Sequence, residues 1–101
     1  MSFYAWLTQH HPKCCAYNCG ATPIQLHHVL LQDYGRRGHS MQGFNVLPLC
    51  NYHHQTGGPG VAIHATKQHV WAQANFGSEE RMWQWMFVNL AQYTLTLEEQ
   101  A

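Results

Sequence analysis

The chain is poor in charge. Only 10% of its 101 residues are Asp, Glu, Lys or Arg, and the formal net charge is zero. A chain like this has no bulk attraction for a polyanion. It has no apolar run of membrane-spanning length. Its start, MSFYAWLTQHHPK, lacks the basic residues and apolar stretch of a secretory signal. A cytoplasmic protein with reduced thiols is therefore expected. Repeats and low-complexity segments are absent. So is any CxxC pair, which argues against a small redox or metal-storage protein. Acids are the scarcest group ahead of residue 79. Asp33 alone stands there against Lys13, Arg36, Arg37 and Lys67, giving +3, while Glu79, Glu80, Glu98 and Glu99 against Arg81 give the remainder −3. The first part thus suits a polyanionic substrate without demanding one.

What the chain has in quantity is histidine, nine residues, alongside four cysteines. A 101-residue length predicts one domain over 1–101. The apolar share of 46% makes a modest core, and so small a domain has little burial to spare. A metal staple would make up the shortfall.

The pattern along the chain predicts an α+β fold. HPKCCAYNCGATP reads as a tight knuckle, IQLHHVLL and FNVLPL as short strands, and QDYGRRGHSMQG as a Gly-rich basic loop. Pro48 confines the second strand to an edge or ends it early. CNYHHQ starts a short helix or turn that TGGPG breaks. VAIHATKQHVWAQANF has helical spacing and stops at Gly77. Ser78, with Glu79 and Glu80 behind it, opens a last helix over about 78–98. Met82, Trp83, Met86, Phe87 and Leu90 fall on its core face, which leaves Trp85 and Tyr93 to meet a partner chain.

Clustered Cys and His in a reducing compartment read as metal ligands, with a disulfide framework as the rival. Cys14-x4-Cys19 lies upstream, and Cys50-x2-His53 about 30 residues beyond. Two short-spaced pairs of thiolates and imidazole suit a closed, tetrahedral, structural Zn²⁺ site. Cys15 competes with Cys14 for the first position, and the spacing leaves both open, with Cys14 preferred. His27, His28, His54 and His64 remain. Neighbours on a strand point to opposite faces. His27 and His28 therefore do not share a metal easily. One can bind while the other acts as a general base on water. His69 falls off the face of His64, and His10, His11 and His39 are expected at the surface.

LHHV, then Asn45 in FNVLPLC, then His54 in CNYHH resembles the HNH nucleases, also called His-Me finger or ββα-metal nucleases. HHQTGGPGVAIH further resembles the phage recombination-enhancement (Ref-type, RecA-dependent) members. The likeness spans about residues 13–76. It implies a small ββα-metal core with a zinc knuckle, followed by C-terminal helices. It implies that His28 is the base, that Asn45 braces the loop, and that His27, His54 and His64 hold a catalytic metal. His27 departs from the commoner Asp, so the site has no carboxylate. All-imidazole ligation favours Mn²⁺, Ni²⁺, Co²⁺ or Zn²⁺ over Mg²⁺. Arg36, Arg37 and Lys67 would contact DNA phosphates, and His39 in the same loop would reach one too. A homodimer or a RecA-like recombinase filament would supply affinity the weak charge lacks, in the host cytoplasm for a phage-encoded chain. The competing reading is a non-catalytic zinc module binding DNA or protein, which needs Cys14, Cys19, Cys50 and His53 but not His28.

Overall fold

The computed structural model describes residues 1–29 and 44–100. The elements run helix α1 (Phe3–His10), strand β1 (Gln25–His28), strand β2 (Val46–Leu49), a one-turn π-helix (Tyr52–Thr56), a 3-10 turn (Ile63–Ala65), and helices α2 (Gln68–Phe76) and α3 (Glu79–Gln100). Together they form an α+β domain with a two-stranded antiparallel sheet. No described helix is long and apolar enough to cross a membrane.

The strand register organises the rest. Gln25 pairs with Leu49, Leu26 with Pro48, His27 with Leu47 and His28 with Val46. Directly opposed residues project to the same face of an antiparallel pair. Leu47 and Leu49 enter the main core with Trp71, Ala72, Met82, Trp83 and Met86, whereas Val46 enters a second cluster with Trp6 and Leu7 of α1. β2 is thus buried on both faces, and the two histidines of β1 are sent to opposite sides. Pro48 sits inside β2 rather than ending it. In a sheet of two strands every strand is an edge, and the Pro48 carbonyl still accepts from Cys15 N–H at 2.9 Å.

The helix ends follow local chemistry. Ser2 Oγ accepts from Ala5 N–H at 3.1 Å and starts α1. Ser78 Oγ does the same for Arg81 N–H at 3.1 Å, with Glu79 and Glu80 in the first turn of α3. Gly77 ends α2 at φ 92°, which a side chain would resist.

Two expectations need correction. The spacing of VAIHATKQHVWAQANF predicts one helix, but Thr66 and Lys67 are extended and split it. Thr66 is the cause. Its hydroxyl donates to Ala62 O at 2.7 Å and accepts from Gly60 N–H at 2.9 Å, so a side chain occupies groups a helix would use. On α3, Met82, Trp83 and Met86 are buried as expected, but Phe87 is 46% exposed and Asn89 is buried instead. Asn89 is satisfied on both sides of its amide, donating to Trp85 O and accepting from His11 Nε2–H at 2.7 Å. That contact also draws His11 partly inside. Trp85 and Tyr93, expected to meet a partner chain, are half-buried within this chain. Trp85 packs on His11 and Phe76, and Tyr93 on Phe3 and Trp6.

Candidate metal centres

Two clusters of metal-capable side chains form among the described residues, and they meet in the turn after β2. In the first, the ligand atoms of Cys14, Cys19, Cys50 and His53 all lie within 4.8 Å of one another. Cys19 Sγ is 3.8 Å from Cys50 Sγ, Cys14 Sγ is 3.8 Å from His53 Nδ1, and Cys50 Sγ is 3.4 Å from His53 Nδ1. A tetrahedral zinc with Zn–S near 2.3 Å and Zn–N near 2.0 Å would set these edges at roughly 3.5–3.8 Å. This group could therefore hold a metal ion, and its donors fit structural zinc.

The knuckle is folded for that purpose. Cys14 N–H donates to Ala21 O and Gly20 N–H returns to Cys14 O, closing the loop that brings Cys19 beside Cys14. Asn18 and Gly20 take positive φ, at 60° and 67°, to make so tight a return. Burial pushes the Cys14 thiol up to about 12, although backbone N–H groups of Cys50 and Ala16 point at its sulfur. Burial raises Cys50 too, but hydrogen bonds from the His53 backbone and ring and from the neighbouring thiols hold it at about 7. A bound cation would favour the thiolate at all three sulfurs. Cys15 stands outside the cluster. It packs against the main core, where burial raises its thiol well above the ordinary value.

The second cluster is His27, His54 and His64, again with ligand atoms within 4.8 Å. His54 Nε2 and His64 Nε2 are 3.0 Å apart, near the roughly 3.0–3.4 Å expected of two nitrogens about 2.0–2.1 Å from one metal. The His27 ring lies 5.2 Å from that of His54 and 5.0 Å from that of His64. His27 and His54 are buried while His64 is exposed, so the cluster opens to solvent on one side. A cavity of about 460 Å³ lies over it, lined by His27, His28, His54, His64, Thr66 and Lys67 among others.

Among the described residues, no carboxylate joins this set. Burial and then the nearby imidazoles of His54, His64 and His28 lower His27 to about 3. Burial and His64 lower His54 as well. Both rings are therefore biased toward the neutral form, which is the form a metal ligand requires.

His54 and the loop bearing His64 are held by their surroundings. His54 Nδ1–H donates to Gln25 Oε1 at 2.5 Å, which turns Nε2 toward His64. Gln25 has no place in the motif, yet it lies two residues before His27 on β1, and that i, i+2 relation was the available signal. The loop bearing His64 is fixed by Thr66 and by Trp71 Nε1–H donating to Val61 O at 2.9 Å. Gly57 lets that loop return, since a Cβ there would meet Tyr52 O and Val61 at 2.6 Å. His64 and Lys67 share the cavity, not the helical face that their spacing suggested.

His28 is exposed at the end of β1 and edges the same cavity. The residue after it is clamped from both sides. Val29 N–H donates to Asn45 O at 2.8 Å, and Asn45 Nδ2–H donates back to Val29 O at 2.6 Å, with Asn45 fully buried. Lys67 is exposed at the cavity wall, His69 is exposed on α2 away from the cluster, and Arg36, Arg37 and His39 lie outside the described residues. No protein-family model, curated protein or solved structure matches the chain.

Proposed function

We propose that this chain is a metal-dependent endonuclease of the HNH, ββα-metal type that hydrolyses DNA phosphodiester bonds. One observation carries the reading: His28 edges the cavity above the three-histidine cluster, and the residue after it is locked by a buried Asn45. That juxtaposes a solvent-facing base with a metal-capable set. The strands β1 and β2 and the Tyr52–Thr56 turn stand in the order of a ββα-metal core.

His28 takes a proton from water as the water oxygen bonds to phosphorus. The bond from phosphorus to the leaving sugar oxygen breaks, and that oxygen takes a proton from solvent. Asn45 holds the backbone beside His28, so the imidazole keeps its aim. Lys67 contacts a neighbouring phosphate as a positioning charge. His27, His54 and His64 would hold a divalent cation, which supplies stabilisation of the charge developing on the phosphate.

The test is nicking of supercoiled plasmid with added metal. His28→Ala should retain DNA binding and lose about 100- to 10,000-fold in rate, the range of general-base catalysis. Equal cleavage by wild type and variant would remove His28 from the role of base, and cleavage by neither would favour the non-catalytic zinc module. The all-imidazole ligand set further predicts that Mn²⁺, Ni²⁺ or Co²⁺ supports cleavage at least as well as Mg²⁺. Full activity with Mg²⁺ and none with the others would refute this ligand assignment.

A further inference from the structure

Helix α1 precedes the stretch that carries the family resemblance, yet it delivers a side chain to His28. Tyr4 Oη lies 2.8 Å from His28 Nε2, and the two rings meet edge-on with centroids 5.8 Å apart. The strand register brings this about. His28 pairs with Val46 and so projects to the face where Val46 packs on Trp6 and Leu7 of α1. The helix itself is fastened elsewhere. Phe3 and Trp6 pack on Tyr93, and Tyr93 Oη–H donates to Met1 O at 2.7 Å. Tyr4 therefore reaches His28 from a helix held in place by contacts that do not involve His28.

The bond partner of one imidazole nitrogen sets the state of the other. We propose that Tyr4 is a positioning residue that fixes the His28 tautomer: Nε2–H donates to the Tyr4 hydroxyl oxygen and leaves Nδ1 bare to accept a proton from water. The reverse arrangement, with the phenol donating to Nε2, would put the ring hydrogen on Nδ1. Both nitrogens would then be occupied, and the ring could accept no proton. Tyr4 is 38% exposed, so its own O–H can turn to solvent while its oxygen accepts. The consequence for rate rests on the nuclease reading; the tautomer itself does not.

Tyr4→Phe removes one hydroxyl and keeps the ring that packs beside Phe3. Steady-state plasmid nicking should show kcat reduced about tenfold to a hundredfold with KM unchanged, the usual cost of losing a partner that orients a reacting group. Ring-nitrogen chemical shifts of His28, recorded on zinc-loaded protein without DNA, should show the Nε2–H tautomer in wild type and a tautomer mixture in Tyr4→Phe. Three results overturn the proposal: an Nδ1–H tautomer in wild type, identical His28 shifts in the two proteins, or an unchanged kcat in an active enzyme. A wild type that cleaves nothing sinks the nuclease reading alone, because the shifts still decide what Tyr4 does to His28.

Discussion

His53 and His54 are neighbours in one turn, yet they belong to two centres built on opposite principles. His53 joins three cysteines in a set with four protein donors, two of them buried, between the knuckle and the end of β2. His54 joins two histidines in a set with three donors, one of them exposed, under an open cavity. The first set leaves a tetrahedral ion nothing more to bind. The second leaves a position for something from solvent. Donor count and exposure, rather than residue type, are what in general separate a closed structural site from one that keeps an open position. The turn they share makes the staple a positioning device as well. A metal fixed by Cys50 and His53 also fixes where the His54 backbone begins, and His54 N–H donates to Cys50 O at 2.9 Å.

The sharpest way to break that contrast is to empty each centre in turn. Cys50→Ser, or chelation strong enough to strip both centres, should unfold the protein, read as loss of far-ultraviolet circular dichroism. Structural zinc contributes about 10 kcal/mol or more to a folded state whose total stability is about 5–15 kcal/mol. His64→Ala should stay folded and bind one metal per chain where wild type binds two. A His64→Ala protein that unfolds as Cys50→Ser does would make both centres structural and end the distinction.

A smaller effect separates the open site from a mere crowd of histidines. If Gln25 sets the tautomer of His54, Gln25→Leu should weaken metal binding at the open site about tenfold to a hundredfold and leave the cysteine site untouched. Gln25→Glu should strengthen it, since a carboxylate raises the basicity of the ligand it holds. Competition titration with a chromogenic chelator reads both. Equal affinity in all three proteins would mean that the short contact to Gln25 does not orient the ring.

Much of the site was legible because chemistry constrained the spelling. Cys50-x2-His53 and Cys14-x4-Cys19 are short bites that a tetrahedral ion requires, and adjacent histidines on a strand must diverge. The structure brings His27, His54 and His64 together and leaves His28 on the other face. What spacing could not carry was long-range or idiosyncratic. The helix is interrupted at Thr66 and Lys67, and nothing in the 3.6-residue period warns of that. Asn89 replaces Phe87 at a buried position because His11, far away in sequence, supplies its partner. Tyr93 packs on Phe3 and Trp6 of α1, another contact between residues far apart in sequence.

The mildest perturbation is pH, which reaches the open site while that site is empty. His27 is buried at 9% exposure, and burial with the nearby imidazoles lowers it to about 3. In the unfolded chain the same group titrates near the ordinary value of about 6.5. Below that value the unfolded state binds a proton that the folded state refuses. The stability linked to His27 is therefore complete above about pH 6.5 and drains as pH falls toward about 3, at a limiting slope of about 1.4 kcal/mol per pH unit. Near pH 5.5 the loss is about 1 kcal/mol, before acid competes seriously for the cysteine site. Urea melts at pH 7 and 5.5, on protein whose open site has been emptied by a weak chelator, should show it, and His27→Leu should flatten it. A wild-type slope matching that of His27→Leu would mean that His27 is solvated when no metal holds it, and that the open site is organised by its metal rather than ready for it.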